Sequence, residues 1–190
     1  HGAMRASMPE NVHTEVRHML TRYCRALVTG GAGFVGSYVV EALRAEGKGV
    51  VVLDDLSTGS VDNIPRSVEF IRDDVSDSTS VRKAMRGVDL VFHVAAQPSS
   101  GASIRDPLGD CRANITGTLT VLLAARDAGV KRLVYTSSSA AYGEPHALPI
   151  DEAQHPQPLS PYGVSKLAGE QYALMFARAY DLPCTCLRPF

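Results

Sequence analysis

The chain has 190 residues, of which 45% are hydrophobic, so it can bury one substantial core but is short for two full domains. Its formal net charge is -1 and its basic residues are scattered, which argues against a nucleic-acid partner or a membrane surface. Because no signal peptide or membrane-length apolar run is visible, we expect a cytoplasmic protein that binds a small molecule. The cysteines show no CxxC spacing, so we expect all of them to be reduced and mostly buried, and we expect no metal site.

The first 24 residues are predicted to precede the main domain. The segment His1 to Met4 is typical of a cloning remnant, and we interpret residues 1–4 as a tag. Apolar residues recur at helical spacing between Asn11 and Tyr23, which predicts an N-terminal helical extension over residues 5–24. We interpret this extension as a packing appendage.

From residue 25 onward, short apolar segments alternate with longer helical patterns, as in a parallel sheet with crossover helices. Six strands are predicted, at Ala26 to Thr29, Val50 to Leu53, Val68 to Ile71, Leu90 to Val94, Arg132 to Thr136 and Thr185 to Leu187. Four helices are predicted, at Phe34 to Ala45, Ser78 to Met85, Pro107 to Ala128 and Pro161 to Tyr180. Since no linker or repeat interrupts the series, residues 25–190 are predicted to form one α/β domain, a doubly wound parallel sheet with helices on both faces.

The first motif that indicates chemistry is the glycine-rich segment between the first strand and the first helix. It places Gly30, Gly33 and Gly36 in a G-x-x-G-x-x-G frame that also contains G-x-G-x-x-G. Because these positions lack Cβ atoms, the backbone can turn sharply and approach a pyrophosphate at the positive end of the helix. The context of strand, glycine loop and helix therefore predicts a dinucleotide-binding domain of the Rossmann type.

Two acidic positions are suited to the adenosine half of a dinucleotide. Asp54 ends the second strand, 18 residues after Gly36 (54 - 36), where a carboxylate can accept hydrogen bonds from ribose hydroxyls and would repel a 2'-phosphate. This favours NAD over NADP. After the third strand, Asp74 and Val75 are suited to reading the adenine edge with one carboxylate and one apolar contact.

The second motif is the Y-x-x-x-K pair Tyr162 and Lys166, on a helix whose start is marked by Ser160 and Pro161. Residues four apart share one helical face, so the Lys166 ammonium can stabilise the Tyr162 phenolate and help it act as a base. A serine cluster, residues 137–139, follows the fifth strand at the edge where ligands of open α/β sheets collect. One of its hydroxyls is predicted to bind the reacting oxygen.

Taken together, these motifs resemble the extended short-chain dehydrogenase/reductase family, specifically its NAD-dependent nucleotide-sugar epimerases and dehydratases. The resemblance covers residues 25 to 190 and rests on six segments: Gly30 to Gly36, Asp54, Asp74 with Val75, His93 to Gln97, Ser137 to Gly143, and Tyr162 to Lys166. It implies Ser138 as the catalytic hydroxyl, Tyr162 as the base and Lys166 on the nicotinamide ribose. His93 is interpreted as a packed residue at a strand end.

The resemblance also implies which residues contact NAD. The implied cofactor-binding residues are Gly30, Gly33, Phe34, Val35, Gly36, Asp54, Asp74, Val75, Ala95, Ala96, Gln97, Asn114, Ser137, Tyr162, Lys166 and Pro189. In the glycine loop these contacts are to the pyrophosphate, at Asp54 to the ribose, and at Asp74 and Val75 to the adenine.

The residues after the catalytic hydroxyl separate the chemistries of this family. Dehydratases and decarboxylases carry acidic groups there, whereas this chain has Ser139 and Ala140. The resemblance therefore implies a UDP-hexose 4-epimerase that acts through a transient 4-keto sugar. Two alternatives stay open: a dehydrogenase or reductase of the same superfamily that releases NADH, and a non-catalytic NAD-binding module.

In relatives of this family the sequence continues beyond the position of Phe190 into a smaller domain that grips the nucleotide sugar. We therefore expect the chain to be a fragment that lacks this C-terminal substrate domain. The helices that start at Pro107 and Pro161 resemble those that form a homodimer contact in relatives, so a homodimer is expected by analogy.

Overall fold

A computed structural model describes residues 18–190 and contains a six-stranded parallel sheet. The strands are β1 (Arg25–Thr29), β2 (Gly49–Asp54), β3 (Glu69–Arg72), β4 (Leu90–His93), β5 (Arg132–Thr136) and β6 (Cys184–Leu187). Their order is β3-β2-β1-β4-β5-β6, so the chain reverses direction across the sheet between β1 and β4. That reversal is the switch point at which open α/β sheets bind ligands.

The α-helices connect the strands on both faces of the sheet. They are α1 (Phe34–Ala45), α2 (Ser78–Ala84), α3 (Ser100–Arg105), α4 (Pro107–Cys111), α5 (Gly117–Asp127) and α6 (Pro161–Ala179). A π-helical turn, Arg112–Thr116, joins α4 to α5, and 3-10 turns lie at Val61–Asn63 and Ser139–Ala141.

The core consists of two apolar layers, one on each face of the sheet. On one face, Val40 of α1 packs with the buried strand residues Val28 and Val52. On the other face, Leu122 of α5 and Phe176 of α6 pack with strand residues that point the opposite way. Because both faces are covered, the central strands are apolar along their length. The predicted doubly wound fold with helices on both faces is confirmed.

The structure differs from the sequence prediction between residues 100 and 128. The segment Ser100–Arg105 forms a helix that the sequence did not predict, capped by Ser99, whose side chain accepts a hydrogen bond from the Ala102 amide at 3.1 Å. The helix predicted from Pro107 to Ala128 is present as a continuous helical segment to Asp127, but a π-helical turn over Arg112–Thr116, which the sequence did not predict, interrupts its α-helical hydrogen bonding. π-Helical turns are frequent at functional sites, and this one carries Asn114.

The structure tests only the last part of the expected N-terminal extension. Residues 1–17, which include the expected tag and most of the expected extension, lie outside the described residues. Residues 18–20 are helical, and Leu20 and Tyr23 pack against the core.

The cysteines are all unpaired, but Cys24 and Cys111 are exposed and the other two are only half-buried, so the expectation of mostly buried thiols was wrong. Within residues 18–190, no helix is long and apolar enough to cross a membrane.

Candidate functional site

The glycine loop between β1 and α1 can be built only with glycine at its critical positions. Gly30 has a φ of 70°, and a Cβ there would lie 2.6 Å from the Ala95 amide nitrogen. A Cβ on Gly36 would collide with the carbonyl oxygen of Gly30. Gly33 caps α1 without a side-chain hydrogen bond, and the first turn of the helix carries no acidic residue. The positive end of α1 is therefore open to an anion.

The side chains of the first α1 residues point away from the body of the domain. Phe34 is 80% exposed, and its ring packs edge-to-face on Tyr38 with the centroids 5.5 Å apart. Val35 is also exposed. The Phe34 and Tyr38 side chains line an open cleft next to the glycine loop, whose far wall includes Thr58 and Asn63. Any contact of Phe34 or Val35 with a pyrophosphate would therefore come from the backbone amides of these residues.

Asp54 lies at the carboxyl end of β2 and holds the glycine loop in place. Its Oδ2 accepts a hydrogen bond from the Ala32 amide at 2.9 Å, and its Oδ1 accepts one from the Leu56 amide at 2.8 Å. A carboxylate has about four lone-pair positions, so Asp54 retains capacity to accept from ribose hydroxyls. The sequence did not identify Asn63, whose Nδ2 donates to the Ala32 carbonyl at 2.8 Å and fastens the following loop to the glycine loop.

Asp74 and Val75 follow β3 at the same edge of the sheet. Asp74 is half-buried, and its Oδ1 accepts a hydrogen bond from the Ser76 amide at 2.7 Å. Val75 is buried against Gly117, where a Cβ would lie 2.7 Å from its methyl carbon. The neighbouring Asp73 faces the start of α2 instead, and a hydrogen bond from Ser80 lowers its pKa.

The segment after β4, residues 95–97, lies across the switch point. The Ala95 amide donates to the Thr29 carbonyl at 3.0 Å, which places this segment beside the glycine loop. The Asn114 side chain holds this segment in place through two hydrogen bonds to the Gln97 backbone. Its Oδ1 accepts from the Gln97 amide at 2.8 Å, and its Nδ2 donates to the Gln97 carbonyl at 3.2 Å. Because Asn114 is only 1% exposed, its amide orders the predicted cofactor-lining segment rather than facing the open edge itself.

His93 is fully buried between two threonines. Its Nδ1 lies 2.7 Å from Thr29 Oγ1, and its Nε2 lies 3.0 Å from Thr118 Oγ1. The Thr118 hydroxyl donates its one hydrogen to the Asn114 carbonyl at 2.6 Å, so Nε2 donates to Thr118 and Nδ1 accepts from Thr29. Burial, with a smaller contribution from Lys166, lowers the pKa of His93 to about 3. The imidazole is therefore neutral, consistent with a packed strand-end residue.

Tyr162 and Lys166 lie on the first two turns of α6. The helix begins at Pro161, with the Ser160 side chain accepting a hydrogen bond from the Gly163 amide at 3.1 Å. Tyr162 is half-buried, whereas Lys166 is 2% exposed and its Nζ lies 4.7 Å from the centroid of the Tyr135 ring. Burial lowers the pKa of Lys166 to about 8, against the opposing attraction of two carboxylates.

The serine cluster after β5 meets the start of α6. A Cβ on Gly163 would lie 2.6 Å from the Ala140 carbonyl oxygen, so the two segments are in close contact. Ser138 is half-buried, and its Oγ accepts a hydrogen bond from the Ala140 amide at 3.1 Å, so its hydroxyl hydrogen can be directed to another acceptor. Ser137 Oγ is buried with no hydrogen-bond partner among the described residues. Such an orphaned hydroxyl fits an edge that receives a polar ligand.

Sequence reasoning missed an ion pair that fixes the end of the chain to α6. Arg188 Nε and Nη2 donate to the two carboxylate oxygens of Glu170 at 2.7 and 2.6 Å, and Glu170 raises the pKa of Arg188. The guanidinium lies 4.4 Å from the centroid of the Tyr142 ring, on which Phe190 also stacks. Pro189 is exposed, and its carbonyl accepts from the Ser139 amide at 3.0 Å. No local sequence pattern links Glu170 to Arg188, which lie 18 residues apart in the chain.

The predicted site residues therefore collect at the carboxyl edge of the sheet around the switch point. The open helix end, the Asp54 carboxylate and the orphaned Ser137 hydroxyl fit a dinucleotide with a phosphate, a ribose and a polar head group. Within residues 18–190, no group of three or more His, Cys, Asp or Glu side chains is placed to hold a metal ion.

Comparison with known proteins gives a consistent family. Residues 26–190 match the NAD dependent epimerase/dehydratase family. A UDP-glucose 4-epimerase of Mycolicibacterium smegmatis is 42% identical over 173 residues, which are 87% of this chain and 55% of that protein. The crystal structure of the Thermus thermophilus UDP-glucose 4-epimerase with NAD is 44% identical with a TM-score of 0.83, covering 86% of this chain and 54% of the other.

A second solved structure, the Thermotoga maritima UDP-glucose 4-epimerase with UDP-glucose, is 40% identical with a TM-score of 0.84, covering 86% of this chain and 54% of the other. The chain thus spans about half the length of the relatives that it matches. The family match covers nearly all of the described residues and agrees with the resemblance inferred from the motifs. The chain belongs to the NAD-dependent epimerase/dehydratase family of extended short-chain dehydrogenases/reductases.

Proposed function

We propose that this chain is the cofactor-binding part of an NAD-dependent nucleotide-sugar epimerase, a UDP-hexose 4-epimerase that acts through a transient 4-keto sugar. The observation that supports it most is the buried Lys166 one helical turn after Tyr162, at the same sheet edge as the open glycine loop. Burying a lysine is unfavourable, so its presence at that position favours a role for its charge at the cofactor and at the reacting oxygen over a plain packing role. The relatives, which are UDP-glucose 4-epimerases, support the same reaction.

In this proposal the chain holds NAD along the carboxyl edge of the sheet. The backbone amides of Gly33 to Gly36 and the positive end of α1 bind the pyrophosphate, and Asp54 accepts from the adenosine ribose. Asp74 and Val75 flank the adenine, while residues 95–97 line the cofactor from the β4 side. Bound NAD would supply the hydride acceptor, and its recovery in each cycle makes the reaction an isomerisation.

The catalytic groups of the proposal are Ser138, Tyr162 and Lys166. Tyr162 removes the proton from the C4 hydroxyl of the sugar, and the charge of Lys166 stabilises the phenolate that this requires. Ser138 donates its hydroxyl hydrogen to the C4 oxygen and keeps that oxygen in line with Tyr162. Once the 4-keto sugar has rotated to present its other face and C4 has regained the hydride there, Tyr162 returns the proton to the same oxygen.

The residues next to Ser138 favour simple epimerisation over elimination. Dehydration needs additional acid and base groups to remove a carbon-bound proton and protonate the leaving hydroxyl. The two residues that follow Ser138 are Ser139 and Ala140, which carry no carboxylate.

The proposed partners are a UDP-hexose and a second copy of the chain. The long helices α5 and α6 expose apolar side chains, among them Leu123, Tyr172 and Met175, which supports a homodimer contact through these helices. Cytoplasmic location also belongs to the proposal, and unpaired cysteines are consistent with a reducing compartment.

The experiment that tests the proposal follows NADH by absorbance and sugars by chromatography, with NAD and a panel of UDP-hexoses. Since the chain spans about half of its relatives, the assay compares it with the longer protein that the proposal implies. We expect the C4 epimer to form without accumulation of NADH, and Tyr162→Phe to lower the rate about 10²- to 10⁴-fold with NAD binding retained. Steady release of NADH would indicate a dehydrogenase, and NAD binding without turnover in the longer protein would indicate a non-catalytic module.

A further inference from the structure

A buried serine of α3 holds the backbone of Tyr162, and no motif in the sequence identifies it. Ser103 is 0% exposed, and its Oγ accepts a hydrogen bond from the Tyr162 amide at 3.0 Å. The Ser103 hydroxyl donates its one hydrogen to the Ser100 carbonyl at 2.8 Å, so its oxygen is free to accept from the Tyr162 amide. The two residues are 59 positions apart in the chain, so this hydrogen bond fixes α3 to the start of α6.

The first amides of α6 have no acceptors inside the helix and depend on groups that precede it or lie elsewhere in the chain. The first residue is a proline, which has no amide hydrogen. The Gly163 amide donates to Ser160 Oγ at 3.1 Å, and the Val164 amide donates to the Ser160 carbonyl at 3.0 Å. The N-cap thus satisfies the amides on the C-terminal side of Tyr162. The Tyr162 amide is left without an acceptor in its own segment, and Ser103 supplies one.

The carbonyl of Tyr162 is held as well. It accepts a hydrogen bond from the Ser165 hydroxyl at 3.0 Å, and Ser165 Oγ in turn accepts one from Asn114 Nδ2 at 3.1 Å. Ser165 and Asn114 are both buried. Because a side chain leaves the backbone at Cα, between the amide and the carbonyl, these two fixed groups set the direction in which the Tyr162 phenol leaves the helix.

We propose that Ser103 is a positioning residue: by fixing the Tyr162 amide it sets the position of the phenol that acts as the base, while Asn114, acting through Ser165, fixes the Tyr162 carbonyl. The inference rests on the proposed function, because it concerns the base of that reaction. A catalytic group has to be held to within about 0.5 Å of its productive position, and a misplacement of about 1 Å can lower a rate about 10²-fold. The hydrogen bond itself requires neither NAD nor a sugar.

The kinetic test uses the longer epimerase that the proposed function implies, with UDP-glucose as substrate. In Ser103→Ala we expect kcat to fall about 10-fold while the KM for UDP-glucose and the Kd of NAD stay within about twofold, because the binding contacts are intact. The matched control is Asp106→Ala. It removes the side chain that caps α4 in the same segment, by accepting from the Gly109 amide at 2.9 Å, and it should leave kcat unchanged. An unchanged kcat in Ser103→Ala, or an equal fall in both variants, overturns the inference.

A second measurement follows the hydrogen bond itself, by amide hydrogen exchange in the NAD-free chain labelled with ¹⁵N at its tyrosines. The sequence has seven tyrosines, and Tyr162→Phe identifies the relevant signal by its disappearance. In Ser103→Ala the Tyr162 amide should exchange about fivefold faster or more, because it has lost its acceptor, whereas Asp106→Ala should leave the rate unchanged. Ser103→Cys nearly keeps the volume but supplies only a weak acceptor, so it should also exchange faster if Ser103→Ala does not fold. An unchanged exchange rate in a folded variant overturns the inference.

The failure of this inference is distinguishable from the failure of the proposed function. If the unsubstituted longer protein forms no epimer, the proposed function fails, and the exchange measurement still decides whether Ser103 holds the Tyr162 amide. If the epimer forms and Ser103→Ala forms it equally fast, the inference fails and the proposed function stands.

Discussion

The Glu170 and Arg188 ion pair makes the sharpest prediction about stability. In the unsubstituted chain, two guanidinium nitrogens of Arg188 donate to the Glu170 carboxylate at 2.7 and 2.6 Å. Replacing Arg188 with Met keeps a long side chain over the Tyr142 ring but leaves the buried carboxylate without these two donors. Removing one partner of a buried ion pair costs about 3 to 5 kcal/mol, because an uncompensated charge remains. The Glu170 side chain is 4% exposed but that of Arg188 is 20% exposed, so solvent reduces the loss toward the lower end.

We therefore expect Arg188→Met to lower the free energy of unfolding by about 3 kcal/mol. Urea titration followed by circular dichroism measures this directly. Arg178→Met, an exposed arginine on the same helix α6 as Glu170, is the matched control and should change stability by less than about 0.5 kcal/mol. The double variant Arg188→Met with Glu170→Leu should recover most of the loss, because it removes the orphaned carboxylate. A loss below about 1 kcal/mol in Arg188→Met would refute the reasoning, since the pair would then behave like an exposed one.

Two further predictions concern buried titratable groups. The pKa of Lys166 falls from 10.5 to about 8 on folding, so its burial costs about 3 kcal/mol below pH 8, and that cost is relieved as the pH rises toward 10.5. The free energy of unfolding of the unsubstituted chain relative to Lys166→Met should rise across pH 8 to 10.5, and this comparison cancels the opposing titration of Cys184 and Cys186, which both proteins share. An identical pH dependence in both proteins would contradict the prediction. The pKa of His93 falls from 6.5 to about 3, so the folded state should lose several kcal/mol of stability as the pH falls through that range. His93→Gln should show a shallower acid loss, and an equally steep loss would show that other groups are responsible.

The sequence predicted the elements whose signal is local and strong. All six strands lie within one residue or so of their predicted ends, because uninterrupted Val, Leu and Ile segments are required where a strand is buried on both faces. The third strand is displaced by one residue, since the Val68 amide closes a turn onto the Pro65 carbonyl instead of pairing. Helix α3 was missed because its segment, with Ser100 and Gly101, has the composition of a loop and is stabilised by its cap and by packing.

The same distinction holds for the candidate site. The glycine loop, Asp54 and the Tyr162 and Lys166 pair were found because their chemistry requires fixed spacing within one segment. The ion pair of Glu170 with Arg188 depends on a contact between separate segments of the chain, and no local pattern marks it. The π-helical turn at Asn114 is equally invisible in sequence, because its extra residue leaves the apolar periodicity on either side almost unchanged.

The binding of NAD to the glycine loop is the claim on which the rest of the account depends, and calorimetric titration of the chain with NAD tests it most directly. We expect the unsubstituted chain to bind NAD, and Gly36→Ala to bind it about 10- to 100-fold more weakly, because the added methyl collides with the Gly30 carbonyl and displaces the loop. Gly49→Ala, at the start of β2 where a Cβ meets its nearest neighbour at 3.5 Å, is the matched control and should bind normally. Equal affinity of a folded Gly36→Ala variant, or no binding by the unsubstituted chain, would contradict the account.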